Sequence, residues 1–133
     1  MILDKNLFVE RVLPGSILRS LSDAEMEIYR RPFSDPGGSR RPTLTWPREL
    51  PIEGEPRDVT EIVQRHATWL SESTVPKLFV NAEPGAILTG AQREFCRQFP
   101  NQREVTVPGL HCIQEDSPKE ISGALGSWMD ESL

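Results

Sequence analysis

No run of about eighteen apolar residues occurs in the sequence, so no membrane-crossing helix is expected from it. Met1-Ile2-Leu3 runs directly into Asp4-Lys5-Asn6 without an apolar core segment, so no secretory signal is expected either. Cysteine is scarce. Cys96 and Cys112 make neither a disulfide framework nor a metal-ligand spacing, and a reducing, cytoplasmic setting is the expectation. There is no glycine-rich phosphate loop, no Gly-x-Ser-x-Gly nucleophile elbow and no cluster of metal-binding side chains. A long basic run is missing too. The 15 basic residues are outnumbered by 20 acidic ones, and the net charge of -5 argues against nucleic acid or an anionic membrane as partner. The pairs Arg30-Arg31 and Arg40-Arg41 flank a Pro/Gly loop and read as solvated charge.

What is present fits one globular domain. A chain of 133 residues can bury roughly two-thirds of its unfolded surface. Proline is abundant, at 12 residues, and six of these fall between Pro32 and Pro56. Leu3, Leu7, Phe8, Val12 and Leu13 have near-helical spacing, which Pro14-Gly15 should end. Ser22-Asp23-Ala24-Glu25 is a capping box that predicts a helix from Asp23 to about Arg31. Asp35-Pro36-Gly37-Gly38-Ser39 predicts a turn. The proline-rich segment from Arg41 to Ile52 is expected to be irregular or single-turn structure.

From Asp58 the pattern changes. Asp58-Val59-Thr60-Glu61 starts a helix whose apolar face would carry Val59, Ile62, Val63, His66, Trp69 and Leu70. Pro76 to Asn81 is a short apolar run suited to a strand buried on both faces. A helix opening at Thr89-Gly90 follows, with Phe95, Cys96 and Phe99 inward. Glu104 to Val107 reads as a second strand. Ser117-Pro118-Lys119-Glu120 then starts a last helix with a stripe of Ile121, Ala124, Leu125, Trp128 and Met129. Helices alternating with strands imply α/β architecture and a parallel sheet. Two strands are too few for an independent sheet, so this one should continue in something outside the sequence or in a partner.

His111 is the candidate for chemistry. It lies in the Gly109-Leu110-His111 turn, just past a strand and just before a helix start, where open α/β sheets keep their sites. Imidazole is easily poised near neutral pH, and a general base needs its other ring nitrogen oriented by an acceptor. Glu83, just past the preceding strand, could be that acceptor or could merely begin a turn. Glu115 and Asp116, beside the histidine, are further candidates for that acceptor but read rather as support for the helix N-terminus. His66 reads as a core or boundary histidine, and Cys112 as a small apolar wall residue rather than a nucleophile. Trp46-Pro47 is either packing or one wall of an apolar cavity that Phe8, Val12 and Leu50 could join.

Several longer motifs resemble one family. Phe8-Val9-Glu10-x-Val12-Leu13-Pro14, Glu25-Met26-x-x-Tyr29-Arg30-x-Pro32-Phe33 and Arg40-Arg41-Pro42-Thr43-Leu44-x-Trp46-Pro47-Arg48 look like haloalkane dehalogenases of the α/β-hydrolase superfamily. The stretch from Pro76 to Gly85, and Gly109-Leu110-His111-x-x-Gln114-Glu115-Asp116, do so as well. Renilla-type luciferases share these motifs. The resemblance implies the C-terminal part of an α/β-hydrolase fold: residues 1–50 the second part of a helical cap with a Pro-rich return to the core, and residues 51–133 the C-terminal part of the core with the last two parallel strands and their helices.

The family's chemistry would be displacement of halide by an aspartate, giving an alkyl-enzyme ester that a histidine-activated water hydrolyses. Substrates would be small halogenated alkanes and water, the products alcohol and halide ion, with no cofactor and no metal. By motif, the resemblance makes His111 the base. It places Phe8, Val12, Trp46, Pro47, Leu50, Ala86 and Ile87 at substrate-lining positions, with Phe8 and Pro47 near the departing halide. Cys112 stands where an aromatic commonly follows the histidine, so the pocket beside the base should be more open. The nucleophile and the orienting acid would lie in a complementary N-terminal half, which makes Glu83 structural and leaves the isolated chain inactive. Alternatives are a non-catalytic fragment and a luciferase-like oxygenase.

Overall fold

The structure, a computed structural model, describes residues 1–132. The chain divides into two compact units: Met1–Gly15 with Ser20–His66, and Ser16–Arg19 with the chain from Ala67 onward.

The first unit is helical. Helix α1 (Ile2–Lys5) stops at Asn6, which takes the left-handed conformation at φ 50°. Asparagine tolerates that region better than most residues because its short amide can satisfy local backbone groups. The near-helical spacing of residues 3 to 13 therefore does not produce one helix. It produces α1, a π-helical turn over Phe8–Val12, and the short α2 (Leu13–Gly15), which ends at the Pro14-Gly15 pair. The interruption turns Val9 inward, where it is buried. Helix α3 (Asp23–Arg30) begins as its capping box demands: the Ser22 hydroxyl accepts from the Glu25 amide, and the Glu25 carboxylate accepts from the Ser22 amide at 2.7 Å. Met26 is its buried residue.

Helix α4 (Arg41–Arg48) corrects the expectation of irregular structure across the proline-rich segment. Pro42 lies in the first turn, where the missing N–H has no helical partner to lose and the fixed φ suits the helix. Pro47 is one residue from the end, so it removes a single bond from the last turn. Helix α5 (Arg57–Glu72) forms where the Asp58 start predicts it. Its apolar face is covered only at its ends, where Val59 and Leu70 are half-buried: Trp69 is 56% exposed, Ile62 and Val63 are exposed, and so is His66. The reading of His66 as a core or boundary residue is corrected accordingly. An amphipathic pattern states which face gains from burial, not whether a partner is there to bury it.

The second unit holds a two-stranded parallel sheet. Strand β1 (Lys77–Pro84) pairs with β2 (Gln102–Gly109) in register from Lys77 opposite Gln102 to Pro84 opposite Gly109. Helix α6 (Gly90–Arg97) makes the crossover, packing on β1. Both strands are longer than their apolar cores suggest, because pairing continues through Pro108, whose missing N–H suits an edge strand. Phe79 and Val107 are buried, and each such side chain contributes about 1.5–3 kcal/mol relative to exposure. Asn81 is only 2% exposed, and its amide donates to Thr106 Oγ1 across the sheet at 3.1 Å. After β2 come the short helix α7 (Ile113–Asp116) and α8 (Pro118–Ser132), which packs on both strands. Leu125 and Met129 remain exposed, so the α8 stripe is only partly covered. No helix among the described residues is long and apolar enough to cross a membrane.

Candidate active site

The parallel register brings the two strand ends together. Glu83-Pro84-Gly85 lies beside Pro108-Gly109, and the Gly85 amide donates to the Gly109 carbonyl at 3.0 Å. Gly85 is required there: its φ is +72°, and a Cβ would stand 2.9 Å from Arg93 Nη2 and 3.0 Å from the Ala82 carbonyl oxygen. Arg93 ties the β1 end down. Its guanidinium donates to the Ala82 carbonyl at 2.8 Å and to Glu83 Oε2 at 3.2 Å. The Glu83 carboxylate is thus paired with Arg93 at the turn, with most of its side chain still exposed.

Gly109 fits for a different reason. A Cβ on it would lie 2.8 Å from Ile113 Cγ2, so α7 folds directly over this glycine. Gly109→Ala is expected to destabilise the chain by about 1–3 kcal/mol through overpacking. Adding Ile113→Ala should recover part of that loss, which urea midpoints of the single and double variants can measure. Equal midpoints for wild type and Gly109→Ala would show that the close approach is unimportant.

His111 follows at once. Its side chain is exposed at the rim of an apolar cavity of about 230 Å³ lined also by Val80, Ala82, Gly85, Ala86, Leu88, Leu110 and Ile113. Neither ring nitrogen has a hydrogen-bond partner among the described residues. The backbone is held instead: the His111 and Cys112 amides both donate to the Ser16 carbonyl, at 3.1 and 3.0 Å. Cys112 is half-buried. Burial pushes its thiol up, and Glu115 and Asp116 add to that by repulsion, so the thiol stays neutral at pH 7 and suits a wall position rather than a nucleophile.

Of the other residues singled out in the sequence, Ala86 lines the same cavity as His111. Ile87 does not line it and is 65% exposed. The remaining five are in the first unit. Phe8 and Val12 share the π-helical turn, Trp46 and Pro47 are on α4, and Leu50 follows that helix. Trp46 is 78% exposed, and Val12 and Leu50 are exposed as well. No group of three or more His, Cys, Asp and Glu among the described residues could hold a metal ion.

Asp116, which the sequence suggests as support for a helix N-terminus, is instead the last residue of α7 and gathers amides from two chain segments. The carboxylate accepts from the Leu18 amide at 2.9 and 3.0 Å, from the Arg19 amide at 3.1 Å and from the Leu110 amide at 3.3 Å. Burial alone would raise its pKa, but these backbone donors outweigh it, and the carboxyl is held below its ordinary value. A lowered carboxyl contributes stability that is complete above the unfolded value, about 3.9, and is lost as pH falls through the lowered folded value. Exchange protection of the Leu18 and Arg19 amides should therefore weaken in acid before that of the β1–β2 ladder. Protection that falls in parallel at both places would refute this.

No protein-family model matches the chain. Individual relatives do. The chain is 59% identical over 129 residues to a haloalkane dehalogenase of Sphingobium indicum, covering 97% of this chain and 44% of that protein. It is 41% identical over 135 residues to the coelenterazine h 2-monooxygenase of Renilla reniformis, covering 100% of this chain and 43% of that protein. Among solved structures, the haloalkane dehalogenase of Bradyrhizobium elkani superposes with a TM-score of 0.92 at 47% identity, covering 98% of this chain and 45% of that one. The chain thus spans less than half the length of the relatives it matches.

Proposed function

We propose, from the premise that this chain is homologous to the C-terminal portion of haloalkane dehalogenases, that it supplies the histidine base and part of the pocket for hydrolytic dehalogenation of small haloalkanes. The observation that carries this reading is the position of His111: past the end of β2, on the rim of an apolar cavity, with its ring nitrogens unengaged among the described residues. An apolar cavity with one polar group suits a small halogenated alkane.

The reaction runs in two steps. An aspartate carboxylate displaces halide from carbon, forming an alkyl ester and releasing X⁻. His111 then takes a proton from water as the oxygen attacks the ester carbonyl, and the alcohol leaves with the carboxylate restored. The net change is R–X + H₂O to R–OH + X⁻ + H⁺. We assign the nucleophilic aspartate and the acid that orients the imidazole to a complementary N-terminal half. Glu83 is paired with Arg93, and no acid among the described residues hydrogen-bonds the His111 ring. Residues 1–50 act as part of the cap, with Phe8 and Pro47 beside the departing halide and Val12, Trp46, Leu50, Ala86, Ile87 and Cys112 lining the path of the alkyl group. The free cysteines fit a cytoplasmic setting.

A second reading, an oxygenase acting on coelenterazine, draws on the similarity to the Renilla protein. A third, a fragment without activity, draws on the partly uncovered faces of α5 and α8 and on a sheet of two strands. One experiment separates the three. The chain alone should release no halide from a bromoalkane. With the N-terminal portion of the Sphingobium relative supplied, halide and alcohol should appear in equal amounts, with no light from coelenterazine. Light without halide would favour the oxygenase, and neither product would favour the inactive fragment. Turnover by the chain alone would refute the need for a second half.

A further inference from the structure

The segment Ser16–Arg19 belongs to a different unit from the residues on either side of it. Met1–Gly15 and Ser20–His66 form the first unit, whereas these four residues go with the sheet and His111. They form a strap, and its attachments are specific. The Ser16 carbonyl receives both the His111 and the Cys112 amides. The Leu18 and Arg19 amides, two and three residues on, both donate to the Asp116 carboxylate. Ile17, between them, is buried. The same carboxylate also receives the Leu110 amide, at 3.3 Å.

The His111 turn is therefore held at three consecutive amides. Leu110 is held by Asp116 directly, and His111 and Cys112 are held by a carbonyl whose own position Asp116 sets. The imidazole has no side-chain tether among the described residues, so its placement relies on this backbone. We propose that Asp116 is a positioning residue for His111, acting through the Ser16–Arg19 strap. This rests on the reading of His111 as the base, and it adds the residue that determines where the base stands. Asp116 does not touch the ring. Its part is to make two separate chain segments one rigid support, as a site needs to keep a base within a fraction of an ångström of its proton. The Arg19 side chain pairs with the Glu115 carboxylate at 2.6 Å and its Nε donates to the Glu115 carbonyl at 2.7 Å, contacts that reach α7 and not the Leu110–Cys112 amides.

The test uses the 133-residue chain and needs no turnover. Asp116→Asn keeps the shape but replaces one acceptor oxygen with a donor that faces N–H groups. Amide hydrogen exchange should speed up by about tenfold or more at Leu18, Arg19, His111 and Cys112, while the ladder amides of β1 and β2 keep their protection. The ¹H–¹³C signal of the His111 ring should shift or split, and His66, exposed on α5, should not move. Arg19→Ala, which keeps the amide, should leave the His111 signal in place. Unchanged exchange at His111 and Cys112 in Asp116→Asn would overturn the proposal. So would an unchanged ring signal, or a wild-type chain in which these amides are unprotected. Failure of the base reading is read separately, from turnover of a His111 variant in the complemented enzyme, and leaves these exchange results standing.

Discussion

With a complementary half supplied, His111→Ala is expected to release about one equivalent of halide and then stop. The two halves of the reaction make different demands. Displacement of halide by a carboxylate involves no proton transfer, so it needs no base. Hydrolysis of the resulting ester needs a water made nucleophilic as it attacks, and a positioned base contributes about 10²–10⁴-fold to such a step. Removing the imidazole should leave the first step nearly intact and slow the second by that factor. The ester then accumulates, and intact-protein mass spectrometry should find the complementary half heavier by the alkyl group. His66→Ala is the matched control, since it removes the chain's other histidine from an exposed helix face and should leave turnover unchanged. Continued turnover in His111→Ala would remove the base assignment. Loss of the initial halide release as well would mean that His111 is needed before the ester forms, which the proposed mechanism forbids.

The largest effect on stability is expected at Arg40. Its side chain lies almost wholly inside the first unit, with 9% of the residue exposed. The guanidinium donates to four carbonyl oxygens: Phe33 at 2.8 Å, Leu3 at 3.1 Å, Asp4 at 2.7 Å and Ser34 at 3.1 Å. Two of these are in α1 and two at the end of the turn after α3, so one planar fork joins segments about thirty residues apart. Arg40→Ala strands those carbonyls and leaves a void, and roughly 3 kcal/mol should be lost. Arg40→Lys should recover only part, because a lysine cannot reproduce the fork. Arg41→Ala, exposed at the start of α4, should change stability by no more than about 0.5 kcal/mol. Urea unfolding followed by tryptophan fluorescence measures all three, and equal midpoints for the Arg40 and Arg41 variants would show that the fork is dispensable.

The elements that could be read in advance are those whose causes are local. The Ser22–Glu25 box lies within four residues and starts α3 as expected. The apolar run from Leu78 and the alternation at Glu104 both became strands, and the intervening helix made them parallel. Helix α4 is hidden in the sequence because proline density over a segment does not say where in a turn each proline falls. What matters is position, and neither Pro42 nor Pro47 occupies the middle of the helix. The faces of α5 and α8 were legible as apolar, but their exposure was not, since that depends on what else is within reach.

The sequence by itself determined where most helices and strands begin, the α/β class, and a histidine just past a strand end. Each of these follows from side-chain chemistry acting over a few residues. The support of that histidine was decided only in three dimensions. Asp116 and Leu18 are 98 positions apart, and the groups that Asp116 gathers are backbone amides. Every residue except proline carries the same amide, so no residue type marks which of them will be held. Only the folded path of the chain, which carries Ser16–Arg19 beside the Leu110–Cys112 turn, turns an ordinary acidic residue into the anchor of the site.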